Sequence, residues 1–216
     1  MSDLKLRQDV MDELEFEPSV NATHIGVAVD NGVVTLTGHV GTYFERLAAE
    51  QAARRVKGVR AIAEEIEVRY PFSNKIADDE IAKRAADMLD MDVAVPKNRI
   101  AVTVRDGQIT LSGQVDWQYQ RRAAEKTVAM LSGVSGVVNH VTIRPSVQPA
   151  DIKRKIEDAL KRHAEVEARG IKVGIADGGK VTLEGTVHDW HEREAAQKAA
   201  WSAPGVVLVD DRLVIA

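Results

Sequence analysis

The chain has 216 residues, a net charge of −4 and no cysteine, which excludes disulfides and thiolate metal sites. No stretch reaches the apolar length of a membrane span or a signal-peptide core, so the sequence reads as cytoplasmic as given, or periplasmic if a leader has been removed. Divided after Phe72 and Val147, its three segments carry −4, +1 and −1, without the basic footprint of a nucleic-acid binder.

A first helix is predicted from Leu6, Val10 and Leu14 at helical spacing, closed by Pro18 and Ser19. Ile25, Val27 and Val29 then alternate, as on a half-buried strand. Asn31-Gly32 supplies the positive φ of a tight hairpin turn, and Val34 and Leu36 resume the alternation up to Gly38. A second helix is predicted from Thr42 to Lys57, with Ala48-Ala49 small enough to lie close on a sheet. Gly58 before Val59 reads as a left-handed helix cap. A third strand ends in Ile66 and Val68. Second strand, crossover helix and third strand form a βαβ unit, which requires parallel pairing.

The same order returns twice. Ile81, Ala85, Met88 and Leu89 open the second copy, with Asp78, Asp79 and Glu80 placed to favour the helix dipole. Its hairpin runs from Ile100 through Asp106-Gly107 to Gly113, its second helix from Trp117 to Ser132, its cap is Gly133, and its last strand ends at Val141 and Ile143. Ile152, Ile156, Ala159 and Leu160 open the third, with Asp151 as N-cap and Lys161-Arg162-His163 at the C-terminal end. Its hairpin turns at Gly178-Gly179 and reaches Gly185. Its second helix spans Asp189 to Ala203, and Gly205 precedes the strand ending at Leu213 and Ile215. Gly38 to Gly113 is 75 positions and Gly113 to Gly185 is 72. The chain is therefore read as α/β (α+β): three tandem α-β-β-α-β sandwiches, each a three-stranded mixed sheet covered by two helices. They span residues 1–72, 73–147 and 148–216, joined by proline-stiffened linkers at Pro71–Lys75 and Pro145–Pro149.

The hairpin glycines, with Leu36, Val40 and Val59 and their counterparts, carry a resemblance to the BON domain, named after bacterial osmotically induced and nodulation proteins. The positions are Gly32, Gly38 and Gly58; Gly107, Gly113 and Gly133; Gly179, Gly185 and Gly205. The resemblance implies a non-catalytic binding role, linked to phospholipid membranes and envelope stress. It implies no cofactor and no enzyme. A phospholipid surface or an envelope protein is the expected partner. A structural, stress-protective homo-oligomer is the alternative reading, and a small-ion (potassium) binder a third.

Candidate binding residues gather at the starts of the second helices. Tyr43, Phe44, Trp117, Tyr119 and Trp190 are five of nine aromatics in the chain. Amphipathic rings suit headgroup depth, a protein interface or the seams between copies. Arg46, Arg121 and Arg193 share one position in the first turns, where a cation opposes the helix dipole, and Arg122 lies beside the second of them. Glu50 and Glu125, four residues on, are the expected partners of Arg46 and Arg121. A phosphate, or a carboxylate on another copy, is the functional alternative. Gly38, Gly113 and Gly185 either admit a ligand to the backbone or mark close packing. His188 and His191 share a helix face, but Ala195 stands where a zinc-protease helix needs a ligand, so no metal is expected.

Overall fold

The computed structural model describes residues 2–70, 76–144, 152–162, 170–176 and 178–215. The expected linkers, the N-cap at Asp151 and His163 lie outside them. Three three-stranded sheets form, one per copy. The first copy runs α1 (Asp3–Phe16), β1 (Ile25–Asp30), β2 (Val33–Val40), α2 (Tyr43–Arg55), β3 (Ala61–Val68). The second runs α3 (Asp78–Met91), β4 (Ile100–Arg105), β5 (Gln108–Val115), α4 (Gln118–Ala129), β6 (Gly136–Ile143). The third runs α5 (Ile152–Arg162), β7 (Ile171–Ala176), β8 (Lys180–Val187), α6 (Trp190–Trp201), β9 (Leu208–Ile215). By packing, the chain divides into two compact units, Met1–Gly113 with Arg122–His140, and Gln114–Arg121 with Val141–Ala216.

In each sheet the middle strand is the second one, flanked by the first and the third. β1 pairs antiparallel with β2, Val29 opposite Val34, and β2 pairs parallel with β3, Leu36 opposite Glu64. β7, β8 and β9 repeat this, with Leu183 opposite Asp211. The alternation places Val34, Leu36 and Val40 on one buried face, as it does Val181, Leu183 and Val187. Leu6, Val10 and Leu14 from α1 and Ala49, Ala52 and Ala53 from α2 close over that face in the first copy. Ile156, Leu160, Ala196 and Ala200 do so in the third. The alanines matter because their short side chains let a helix backbone come near the sheet without leaving a void.

Polar contacts fix the hairpins to the first helices. The Asp3 carboxylate accepts from the amides of Asn31 at 2.9 Å and Gly32 at 3.3 Å. Asp78 does the same for Asp106 at 2.7 Å and Gly107 at 2.9 Å. The helix-start acids thus do more than favour a dipole: each satisfies two turn amides left unpaired by the ladder. On the β1 edge, Arg7 Nε donates to the Val27 carbonyl at 2.8 Å, closing part of an open strand.

The glycines after the second helices have positive φ, as expected, but not as helix caps. α2 closes on Val56 in extended conformation, and the Val59 amide donates back to the Val56 carbonyl at 3.3 Å. Gly58, at φ +98°, is the third residue of that four-residue turn. The third copy repeats it with Pro204 and Gly205 as its central pair, the residues a type II turn prefers. The helix therefore ends first, and the glycine reverses the chain into the third strand.

Candidate functional site

The second helices of the first and third copies begin with reciprocal caps. Thr42 Oγ1 accepts from the Glu45 amide at 3.1 Å, while Glu45 Oε2 accepts from the Gly41 amide at 2.9 Å and Oε1 from the Asn21 amide at 2.8 Å. In the third copy Asp189 Oδ1 accepts from the Glu192 amide at 2.8 Å, and Glu192 Oε2 accepts from the His188 amide at 2.7 Å. In the second copy Gln120 Oε1 accepts from Asp116 and Trp117, both at 3.0 Å. This is the capping box, and its signature was in the sequence as Thr42-x-x-Glu45 and Asp189-x-x-Glu192.

The same geometry accounts for the histidine pair. His188 Nδ1 lies 2.9 Å from Glu192 Oε2, and Glu192 is only 5% exposed. The imidazole is tied to the cap. Among the described residues no group of three or more His, Cys, Asp or Glu is placed to hold a metal.

Arg46 and Arg193 have partners that helical spacing did not anticipate. Arg46 Nε donates to Glu64 Oε2 at 2.6 Å, and Arg193 Nε to Asp211 Oδ2 at 2.6 Å. Both carboxylates belong to the third strand of the same copy and also accept backbone amides, from Ile66 at 2.8 Å and Leu213 at 2.9 Å. Glu50, the expected partner of Arg46, instead receives Arg54 at 2.5 Å. Glu125, expected for Arg121, accepts from Asn139 Nδ2 at 3.0 Å. The strand carboxylate wins because it is less exposed and already held in place, so the pair costs less side-chain freedom than two surface residues on one helix. Asn139 occupies in β6 the place of Glu64 and Asp211. An aromatic ring completes the arrangement in the first and third copies. The Arg46 guanidinium lies 5.9 Å from the Tyr43 ring centre and that of Arg193 5.2 Å from Trp190.

Tyr43 is also part of a seam between the first and second copies. Burial raises its phenol pKa, and a backbone hydrogen bond with Val137, at the start of β6, acts in the opposite direction. Tyr70, likewise raised by burial, has a backbone hydrogen bond with Tyr43 and donates its hydroxyl to the Val134 carbonyl. Beside these contacts lies an open cleft of about 340 Å³, walled by Thr42 and Phe44 on one side and Ala129, Met130, Leu131 and Ser132 on the other. Tyr43 thus meets protein. Phe44 is 44% exposed at the cleft, and Trp117 and Tyr119 are 38% and 59% exposed. Trp190 is half-buried, and Arg122 is exposed.

Gly38, Gly113 and Gly185 have φ of +112°, +139° and +138°. A methyl built on each would overlap the carbonyl oxygen of His24, Arg99 and Gly170 respectively. The backbone of the residue preceding the first strand fills the space a side chain would need. Of the other glycines, Gly32, Gly107 and Gly179 sit in the hairpin turns with φ near +77°, where the carbonyls of Gly58, Gly133 and Gly205 approach them.

Three repeated mixed-sheet units, the first and third with an arginine held by a strand carboxylate, define a tandem array of small α/β sandwiches. The family model described as BON domain matches residues 2–70, 77–145 and 149–216, and the chain belongs to that family. It is 29% identical over 143 residues to Osmotically-inducible protein Y of Escherichia coli (strain K12), covering 64% of this chain and 71% of that protein. Among solved structures it is similar to CdsD, a structural protein of the type III secretion system of Chlamydia trachomatis. The identity is 15% and the TM-score 0.27, over 98% of this chain and 92% of that one. The periplasmic domain of the type III secretion inner membrane protein PrgH from S. typhimurium matches at 12% identity and TM-score 0.23, over 89% and 94%. TM-scores this low carry no argument about assembly. Among the described residues no helix is long and apolar enough to cross a membrane.

Proposed function

We propose that this is a non-enzymatic binding protein of the osmotic-stress response that associates with phospholipid membranes or envelope components. Similarity to an osmotically inducible protein supports the stress role. The observation that carries the surface is the exposure of Trp117 and Tyr119 at the start of α4. A chain of net charge −4 gains nothing from long-range attraction to an anionic bilayer, so contact is local and aromatic. Arg46 and Arg193 contribute little to it, because both already serve carboxylates of their own copy.

Flotation with vesicles of neutral lipid and of neutral plus anionic lipid tests this. Trp117→Ala with Tyr119→Ala is expected to lower vesicle binding about tenfold, the scale of two interfacial rings. The denaturation midpoint should stay close to wild type. Wild-type protein that never floats at low salt would end the lipid reading. The protein-docking reading would then stand, favoured by the use of Tyr43 and Tyr70 against the second copy. Fractionation of cells expressing the full gene decides between a cytoplasmic and a periplasmic site of action.

A further inference from the structure

The seam between the first two copies has a front and a rear. The front is the start of a second helix, Thr42, Tyr43 and Phe44; the rear is the end of the next copy's second helix, Ala129 to Ser132, with Val134 and Val137 beyond it. The side chains that wall it are uncharged, while Arg46, Glu125 and Glu50 act on Tyr43 from beside it. The repeat places the same front on copy three and the same rear on copy one. There the chemistry changes, and in opposite directions.

On copy three the counterparts of Thr42, Tyr43 and Phe44 are Asp189, Trp190 and His191, and one turn on Glu194 stands where copy one has Leu47. Asp189, His191 and Glu194 are exposed. On copy one the counterparts of Ala129, Met130, Leu131 and Ser132 are Arg54, Arg55, Val56 and Lys57, followed by Arg60. All four cations are exposed. Arg54 leans on Glu50, and Arg55 reaches Glu13 at 2.8 Å and Glu17 at 2.7 Å, which leaves Lys57 and Arg60 as the foremost charges of this rear. The walls of the internal seam are thus uncharged, whereas at the same positions the terminal pair sets an acidic front against a basic rear.

We propose that the front of copy three docks on the rear of copy one of a second molecule of this chain, continuing the internal seam between molecules. The occupant is a second copy because the two surfaces are repeat equivalents of surfaces that already fit and because their charges are complementary. Such a contact is heterologous: it joins unlike patches and links molecules head to tail. Exposed charges make it weak and salt-sensitive. The inference stands apart from the lipid reading, since it involves neither Trp117 nor Tyr119.

Sedimentation velocity over a concentration series, at low and high salt, tests it with the full chain. Wild type is expected to associate at low salt and to dissociate as salt rises. Lys57→Glu and Glu194→Lys should each weaken association about tenfold, attraction turning to repulsion, and the double reversal should restore most of it. Circular dichroism of each variant separates misfolding from lost contact, both sites being exposed. A wild type that stays monomeric at every concentration, a closed dimer untouched by either reversal, or a double variant no better than the singles would each overturn the proposal.

Discussion

Copy one and copy two place the same arginine at the same helix start, yet surround it differently. Arg46 lies against Tyr43 and donates to the Glu64 carboxylate, whereas β6 presents Asn139 where β3 presents Glu64, and Gln118 stands where Tyr43 does. Copy three returns to the first pattern with Trp190 and Asp211. Two features of the backbone recur in all three: the overlapping glycine and the reversing turn. The side-chain arrangement around the arginine is therefore an addition to the fold that two copies carry, and the glycine contacts are the part no copy does without.

The largest effect should come from the constant part. Gly38→Ala forces a methyl against the His24 carbonyl at a φ of +112°, backbone against backbone, with no side chain free to yield. A loss of about 3 kcal/mol or more is expected in denaturant unfolding, and similar losses for Gly113→Ala and Gly185→Ala. A copy that tolerated the change would show that its hairpin closes differently.

The reversing turns come next. The left-handed conformation alone costs an alanine about 1 kcal/mol. Gly133→Ala adds contacts at 2.9 Å with Ile81 Cδ1 and 3.1 Å with Ile76 Cβ, both apolar and packed. It should cost roughly twice as much by the same measurement.

The arginine difference is smaller. A double-mutant cycle on Arg46 and Glu64 is expected to give a coupling of about 1 kcal/mol, as for a partly buried pair discounted for solvent, with Arg193 and Asp211 alike. The Arg121 and Asn139 cycle should give less, Asn139 having no charge. Equal couplings in all three would erase the distinction drawn between the copies.

The smallest effect concerns acid. Thr127 Oγ1 and the Ala94 amide both donate to Asp92, which holds its carboxyl below the usual 3.8. A depressed folded-state pKa contributes stability that is present above the unfolded pKa and lost as pH falls through the folded one. Asp92→Asn should therefore flatten the decline of stability below about pH 4 and lower stability slightly at neutral pH, read from denaturation midpoints across that range. An unchanged acid limb would place the acid sensitivity elsewhere, with Glu17 next, since Ser19 and Arg55 lower its pKa.

The sequence by itself determined the repeat, the element order and the hairpins. Those depend on local rules: alternation sets the strand faces, a left-handed dipeptide sets the turn, and spaced alanines mark the helix that lies on the sheet. It marked the right glycines, with the correct reason for the hairpin turn at Gly32 and with close packing as one of two readings for Gly38. Gly58 was legible as a left-handed position, but whether it capped the helix or reversed the chain depended on where α2 stopped. Tertiary structure alone decided the rest. Glu64 lies 18 positions beyond Arg46 on a parallel strand, so the spacing rule that pointed to Glu50 could not find it. Asp3 meets Asn31 across 28 positions, and Tyr70 meets Val134 across 64. Such pairings exist only once a sheet has brought distant residues together, because a side chain's partner is chosen by distance in space and by the freedom each has left to lose.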